Sequence, residues 1–224
     1  MRYGLLSLSI LLTAGLSLAE FFWRFPASAF SVLKGMGGVR VYATAVEVNG
    51  HDGSLESYSF TGTTAPALAR RLARQLGITA PVSPGAAHLA ATRNGKTSHF
   101  FILPAPGGED QCAVLAFEQE AAPGAKAPAW PDGVPALAAE PTFSAVCKKT
   151  RTVLVQARSP QSPEALLGEA ADQLKRQGWM EVSPESSVCR LFTYGHKHCI
   201  LLGDRKENAM DSTLTLLQRE GTEK

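Results

Sequence analysis

Val82-Ser83-Pro84 returns as Val182-Ser183-Pro184, a displacement of 100 positions. At the same displacement Arg93-Asn94-Gly95-Lys96 meets Thr193-Tyr194-Gly195-His196, and the apolar Phe100-Phe101-Ile102 meets Ile200-Leu201-Leu202. Leu115-Ala116-Phe117 meets Thr215-Leu216-Leu217, while upstream Pro66 answers Pro163 and Gly77 answers Gly178. The order and spacing of these matches describe a duplicated unit. Two repeats are too few for a solenoid, which needs about three to bury a continuous core. The expectation is therefore an α+β protein of two tandem duplicated ββαβββ units, each a mainly antiparallel sheet with one helix packed on a face.

The pattern within each half sets the elements. Residues 39–48 alternate apolar and polar side chains, Gly50 to Gly53 is a turn, and Leu55 to Thr61 is a second strand. Thr64 and Pro66 open a helix whose stripe is Leu68, Leu72 and Leu76, and Gly77 closes it. Strands follow at 88–93, 98–103 and 112–119, with Asn94-Gly95 as a type I′ hairpin signal. The second half repeats this with strands at 143–147 and 152–157, a helix opened by Ser162-Pro163, and strands at 188–194, 198–202 and 212–217. That helix carries Leu167, Ala170, Ala171 and Leu174 as its core stripe, is read as about one turn longer than the first, and is closed by Gly178-Trp179. The division is a leader 1–19, a lead-in 20–38, a first repeat 39–120, a Pro/Ala-rich linker 121–141, a second repeat 142–220 and a tail 221–224. Trp130 and Val134 are the linker residues expected to dock.

Compartment follows from the leader. Arg2, the apolar run Leu5 to Leu18, and Ser17-Leu18-Ala19 before Glu20 have the layout of a secretory signal peptide. The alternative is an uncleaved inner-membrane anchor running on through Phe21, Phe22, Trp23 and Phe25. That would place Glu20 and Arg24 in the bilayer, at about 2.5–3.5 kcal/mol each near its centre. After cleavage no integral span is expected. Asn49, Asn94 and Asn208 form no glycosylation sequon, which fits a bacterial envelope, periplasmic or secreted. A net charge of +2 gives no reason to expect nucleic acid as a partner.

Four cysteines in an exported chain invite a disulfide. Antiparallel pairing sets Cys199 opposite residue 192 or 193, about 10–13 Å from Cys189 and beyond the roughly 7 Å that a bridge tolerates. The disulfide candidate is Cys147 with Cys189: Cys147 ends the first strand of the second unit, and a right-handed crossover through the helix is expected to return the chain to the same edge, where Cys189 starts, with Cys112 in the other unit. Gly195-His196-Lys197-His198-Cys199 is the cluster nearest to a metal site, through His196, His198 and Cys199. On a strand, however, the two histidines face away from the cysteine. His51, His88 and His99 stand apart in sequence.

The chain has no Gly-x-Ser-x-Gly elbow, His-Glu-x-x-His, Cys-x-x-Cys, Walker loop or dinucleotide fingerprint, and Gly35-Met36-Gly37-Gly38 leads into a strand. No catalytic residue and no cofactor are expected. Three functions stay open: a non-catalytic envelope binding or assembly module with another envelope protein as partner, a periplasmic metal-binding protein, and a hydrolase with a site between the units. The leader reading has a direct check. N-terminal sequencing of the exported protein should begin at Glu20, and an intact Met1 on membrane-held protein would reverse it.

Overall fold

The computed structural model describes residues 28–79, 87–105, 108, 110–121, 128–182, 189–205 and 211–221. The leader, its cleavage site, the first Val-Ser-Pro and most of the second lie outside them. Among the described residues three helices lie against one eleven-stranded sheet, in which every paired strand runs antiparallel to its neighbours.

The described residues begin with a helix where the sequence reading had only a lead-in. α1 (Ala29–Gly35) is capped by Ser28, whose hydroxyl accepts from Phe30 N at 3.1 Å. The buried Glu118 carboxylate accepts from Ala29 N at 3.0 Å and from the Lys96 ammonium at 2.9 Å. Seven residues make a marginal helix alone, so this tether and the burial of Val32 and Leu33 hold it. Gly38 follows because a Cβ there would lie 2.6 Å from the Phe60 ring.

β1 (Val39–Val48) and β2 (His51–Thr61) form a hairpin closed by Asn49 and Gly50, at φ 50° and 79°. The expected turn at 50–53 is thus displaced, and Asp52 and Gly53 belong to β2. Asn-Gly is the pair a two-residue type I′ turn favours, since both central residues take positive φ. α2 (Ala65–Leu76) has Thr64 as N-cap and Gly77 in the left-handed region at φ 69°. It buries Leu68 and Leu72 fully. β3 (Ala87–Arg93), β4 (Lys96–Pro104) and β5 (Gln111–Glu120) complete the first half, with Asn94-Gly95 as the turn expected.

The second half runs β6 (Glu140–Cys147), β7 (Thr152–Ser159), α3 (Pro163–Arg176), the two-residue β8 (Met180–Glu181), β9 (Cys189–Tyr194), β10 (Lys197–Arg205) and β11 (Ser212–Glu220). α3 exceeds α2 by two residues, 14 against 12, rather than by a full turn. The linker ends earlier than read from its prolines: Pro141 already pairs with Ala157, and the register slips between Pro141 and Phe143, the kind of irregularity at which a strand tolerates proline. Val134 and Leu137 are buried against α3 with Trp130 packed beside them. Gln218 Nε2 donates to Gly133 O at 3.3 Å, and Ala138 N to Gln173 Oε1 at 3.0 Å.

Strand order is β3-β4-β5-β2-β1-β6-β7-β11-β10-β9-β8. Two separate sheets were expected; instead the β1 and β6 edges join. Glu47 pairs with Val146 and Val48 with Ala145. Asn49 extends the ladder twice over, because its N–H donates to Ser144 O and its side-chain carbonyl accepts from Ser144 N, both at 2.8 Å. Val48 and Ala145 therefore share a face, which places all three helices on one side of the continuous sheet.

A third apolar cluster fills the other side. Phe143 of β6 is fully buried there, with ring centroids 4.7 Å from His99, 5.0 Å from Phe101, 5.2 Å from Phe117 and 5.9 Å from His88. β6 and β3 are five strand steps apart, roughly 24 Å on a flat sheet. The contact requires the sheet to curl over this face. Phe143→Ala is expected to cost about 3–5 kcal/mol. Urea denaturation should show the midpoint fall accordingly, and a loss below about 1 kcal/mol would mean that this ring does not hold the halves together.

Candidate functional site

The expected Cys147–Cys189 bridge does not form, and none of Cys112, Cys147, Cys189 and Cys199 is in a disulfide. The sequence reading returned the crossover to the β6 edge. The chain instead carries β9 to the far side, with β7, β11 and β10 between. Four strand steps put the two cysteines roughly 19 Å apart, far beyond the ~7 Å limit. Cys199 stands opposite Phe192 and Cys189 opposite Leu202, so that pair is out of register as expected. Burial pushes the Cys199 thiol up to about 12, and burial with nearby Asp110 raises Cys112. Cys147 goes the other way. Burial alone would raise it, but hydrogen bonds from Thr150, from the Lys149 backbone and from Thr44 together set it below the ordinary thiol value.

His196 sits in the β9–β10 turn, His198 is exposed on β10, and Cys199 is buried in the α3-side core. The three do not converge. Among the described residues no group of three or more His, Cys, Asp or Glu side chains is placed to hold a metal ion.

The histidines that do meet are His88 and His99, which the sequence reading kept apart. His88 pairs with Phe101 and His99 with Ala90 across β3 and β4, making the two diagonal neighbours on one face. His88 Nε2 and His99 Nδ1 are 3.2 Å apart, and the rings stack at 5.4 Å. Phe101 stacks on His88 at 4.3 Å. His99 Nε2 is buried with no hydrogen-bond partner. Burial alone drives the His99 pKa down to about 4, so the ring is neutral at pH 7. The sequence signal was the spacing about Asn94-Gly95: a two-residue turn brings 88 and 99 to diagonal positions.

The face away from the helices differs between the halves. In the first, Leu55, Phe117, His99 and Ala90 form one cross-strand row, and Ser57, Leu115, Phe101 and His88 the next. Phe143 covers them. In the second, Leu154, Leu217, Ile200 and Leu191 form one row, and Gln156, Thr215, Leu202 and Cys189 the next. Here Leu217 stays 36% exposed and Leu202 40%, with no described residue seated over them as Phe143 is over the first half. Polar rows flank them, Thr152, Arg219, His198 and Thr193 on one side and Arg158, Thr213 and Asp204 on the other. An exposed apolar patch with a polar rim is the ordinary form of a protein-binding surface.

No family model matches the chain, and no curated protein matches it. Among solved structures, the bifunctional dehydratase-cyclase domain in ambruticin biosynthesis is similar at 15% identity over 82% of this chain and 96% of that one, with a TM-score of 0.20. At that TM-score the likeness carries no argument about activity.

His99 gives this site a pH signature. Its folded pKa lies near 4 against 6.5 unfolded, so between those values the unfolded chain binds the extra proton. Its contribution is complete above about pH 6.5 and is lost as pH falls toward 4, up to about 3 kcal/mol. Urea midpoints at pH 8 and pH 4.5 should therefore differ less in His99→Phe than in the parent. Equal differences would mean that His99 is not held neutral.

Proposed function

We propose that the chain is a non-catalytic binding and assembly module exported to the bacterial cell envelope, accessory to a secretion or surface-appendage system. Its binding surface is the uncovered face of β11 and β10, centred on Leu217 and Leu202. We also read residues 39–120 and 142–220 as two copies of one ββαβββ unit. The two rows of the first half correspond position by position to the two of the second, with β4 and β10 aligned at a displacement of 101, one more than the sequence matches gave: Leu55 to Leu154, Phe117 to Leu217, His99 to Ile200, Phe101 to Leu202. The register slip between Arg40 and Tyr42 in β1 matches the one between Pro141 and Phe143 in β6.

The observation that carries the binding reading is the unequal cover of equivalent rows. Phe143 seals the first half, while Tyr42, its counterpart at the other bulge, is itself 38% exposed. A unit whose apolar rows accept an aromatic ring in one copy offers the same kind of seat in the other. The occupant expected is an aromatic or aliphatic side chain of another envelope protein, entering as Phe143 does. Covering the 40% of Leu202 and 36% of Leu217 that is still exposed would add roughly 0.5–1 kcal/mol for each side chain.

A photo-crosslinking residue at Leu202 or Leu217, in cells, should yield one discrete adduct from both positions. The same residue at exposed Val39 should not. Leu202→Asp should abolish the Leu217 adduct while leaving the urea midpoint within about 0.5 kcal/mol of the parent. Absence of any adduct from the face, or an identical one from Val39, would reverse the proposal.

A further inference from the structure

The face that Phe143 covers holds two imidazoles and no charge to balance one. Among the described residues, His88 and His99 are the titratable side chains on this face of β3, β4 and β5, since Arg93, Lys96, Glu118 and Glu120 alternate to the other. β6 brings Cys147 near the seam and Glu140, which is exposed and paired with Arg158 at 2.9 Å. β2 and β1 bring His51 and Tyr42, both exposed. A neutral imidazole carries one N–H, and the 3.2 Å contact of His88 Nε2 with His99 Nδ1 uses one donor and one acceptor. The other nitrogen of His99, Nε2, is buried without a partner, and so is Gln119 Oε1 on the same face. A proton added to His99 makes both of its nitrogens donors, and nothing described accepts from Nε2. A proton on each ring would set two donors against each other across 3.2 Å. The closed pair therefore resists a first proton and excludes a second, whereas each hydrated ring titrates at about 6.5.

We propose that the His88–His99 pair and Phe143 form an acid-released latch: proton uptake by the pair frees Phe143 and opens the β1–β6 seam while each half keeps its fold. What yields is decided by how each wall of the cluster is held. Phe101 and Phe117 sit in continuous ladders along β4–β5 and β2–β5. The strand carrying Phe143 meets the first half through two ladder pairs and the Asn49 bonds. The helix-side cores of the two halves, around Phe100 and Phe192, share no residue with the latch. Opening brings water to His99 Nε2 and Gln119 Oε1 and exposes Phe101, Phe117 and Phe143, so acid presents an apolar face that is sealed at neutral pH. The latch lies in the first half and does not require the face of the second half to bind a partner. Its sign follows from burial: the open state holds more protons, so opening is favoured as pH falls. With His99 at about 4 closed and about 6.5 open, the opening equilibrium rises roughly 70-fold from pH 7.5 to pH 4.5.

Amide hydrogen exchange of the full-length chain, in urea up to about 1 M, separates this opening from unfolding. The Asn49 and Ser144 amides, which donate across the seam, report the latch. Those of Leu72 in α2 and Leu174 in α3 report the halves. Corrected for intrinsic rates, the seam amides should open roughly 70-fold more at pH 4.5 than at pH 7.5. At pH 4.5 they should also exchange about tenfold or more faster than the helix amides, and respond little to urea that speeds the helix amides. His99→Phe should cut the acid rise to within about threefold. His99→Leu serves if the Phe variant does not fold, and the urea dependence decides on the parent alone. Seam and helix amides that share one opening equilibrium and one urea slope would mean that the seam opens only when the whole molecule unfolds, which overturns the proposal. So does a parental acid rise below about threefold, or the full parental rise in a His99 variant.

Discussion

The β1–β6 seam is the contact on which the architecture depends. Only Glu47 with Val146 and Val48 with Ala145 pair along it as ladder partners, and Asn49 supplies the next two bonds from one residue. Asn49 can do so because its backbone has turned to φ 50°, which frees its side-chain amide to stand where a further strand residue would. A few hydrogen bonds, each worth about 0.5–1.5 kcal/mol net, would be a thin join between two sheets. Phe143 strengthens it. By crossing from β6 into the aromatic cluster of the first half it converts an edge contact into shared core. The register of that seam also puts α1, α2 and α3 on one side and leaves the other for the histidine pair and the apolar rows.

Local elements were legible in the sequence because local chemistry determines them. The Thr64 and Ser162 caps, Pro66 and Pro163 in the first turns, Gly77 and the Asn94-Gly95 turn each act within a few residues. Asn49-Gly50 carried the same signal, but the glycine at 53 drew the turn past it. Gly53 is there for a different reason: a Cβ would lie 2.7 Å from Glu118 O of β5. α1 was illegible because its decisive partner, Glu118, is 89 residues away. The same holds for the seam, where two ladder pairs and one side chain leave no periodicity to read.

The candidate surfaces were illegible for a related reason. His88 and His99 gain meaning from Phe143, which reaches them only through the curl of the sheet. Leu202 and Leu217 read as ordinary strand residues until the equivalent rows of the first half are seen covered. The disulfide expectation failed on topology: β10 and β11 insert between β7 and β9, a choice of strand order that cysteine spacing does not record.

Joining the halves edge to edge also changes how the protein meets copies of itself. Two free sheets would present four open strand edges, each a template for runaway pairing. Fusing β1 to β6 leaves two, at β3 and at the far end, and there the flank of β9 is partly occupied by β8, which offers only Met180 and Glu181 to a newcomer. A chain crowded among its own copies thereby has half the exposed backbone through which to polymerise. The seam that gives the molecule its shape is in that sense also its protection against becoming a fibre.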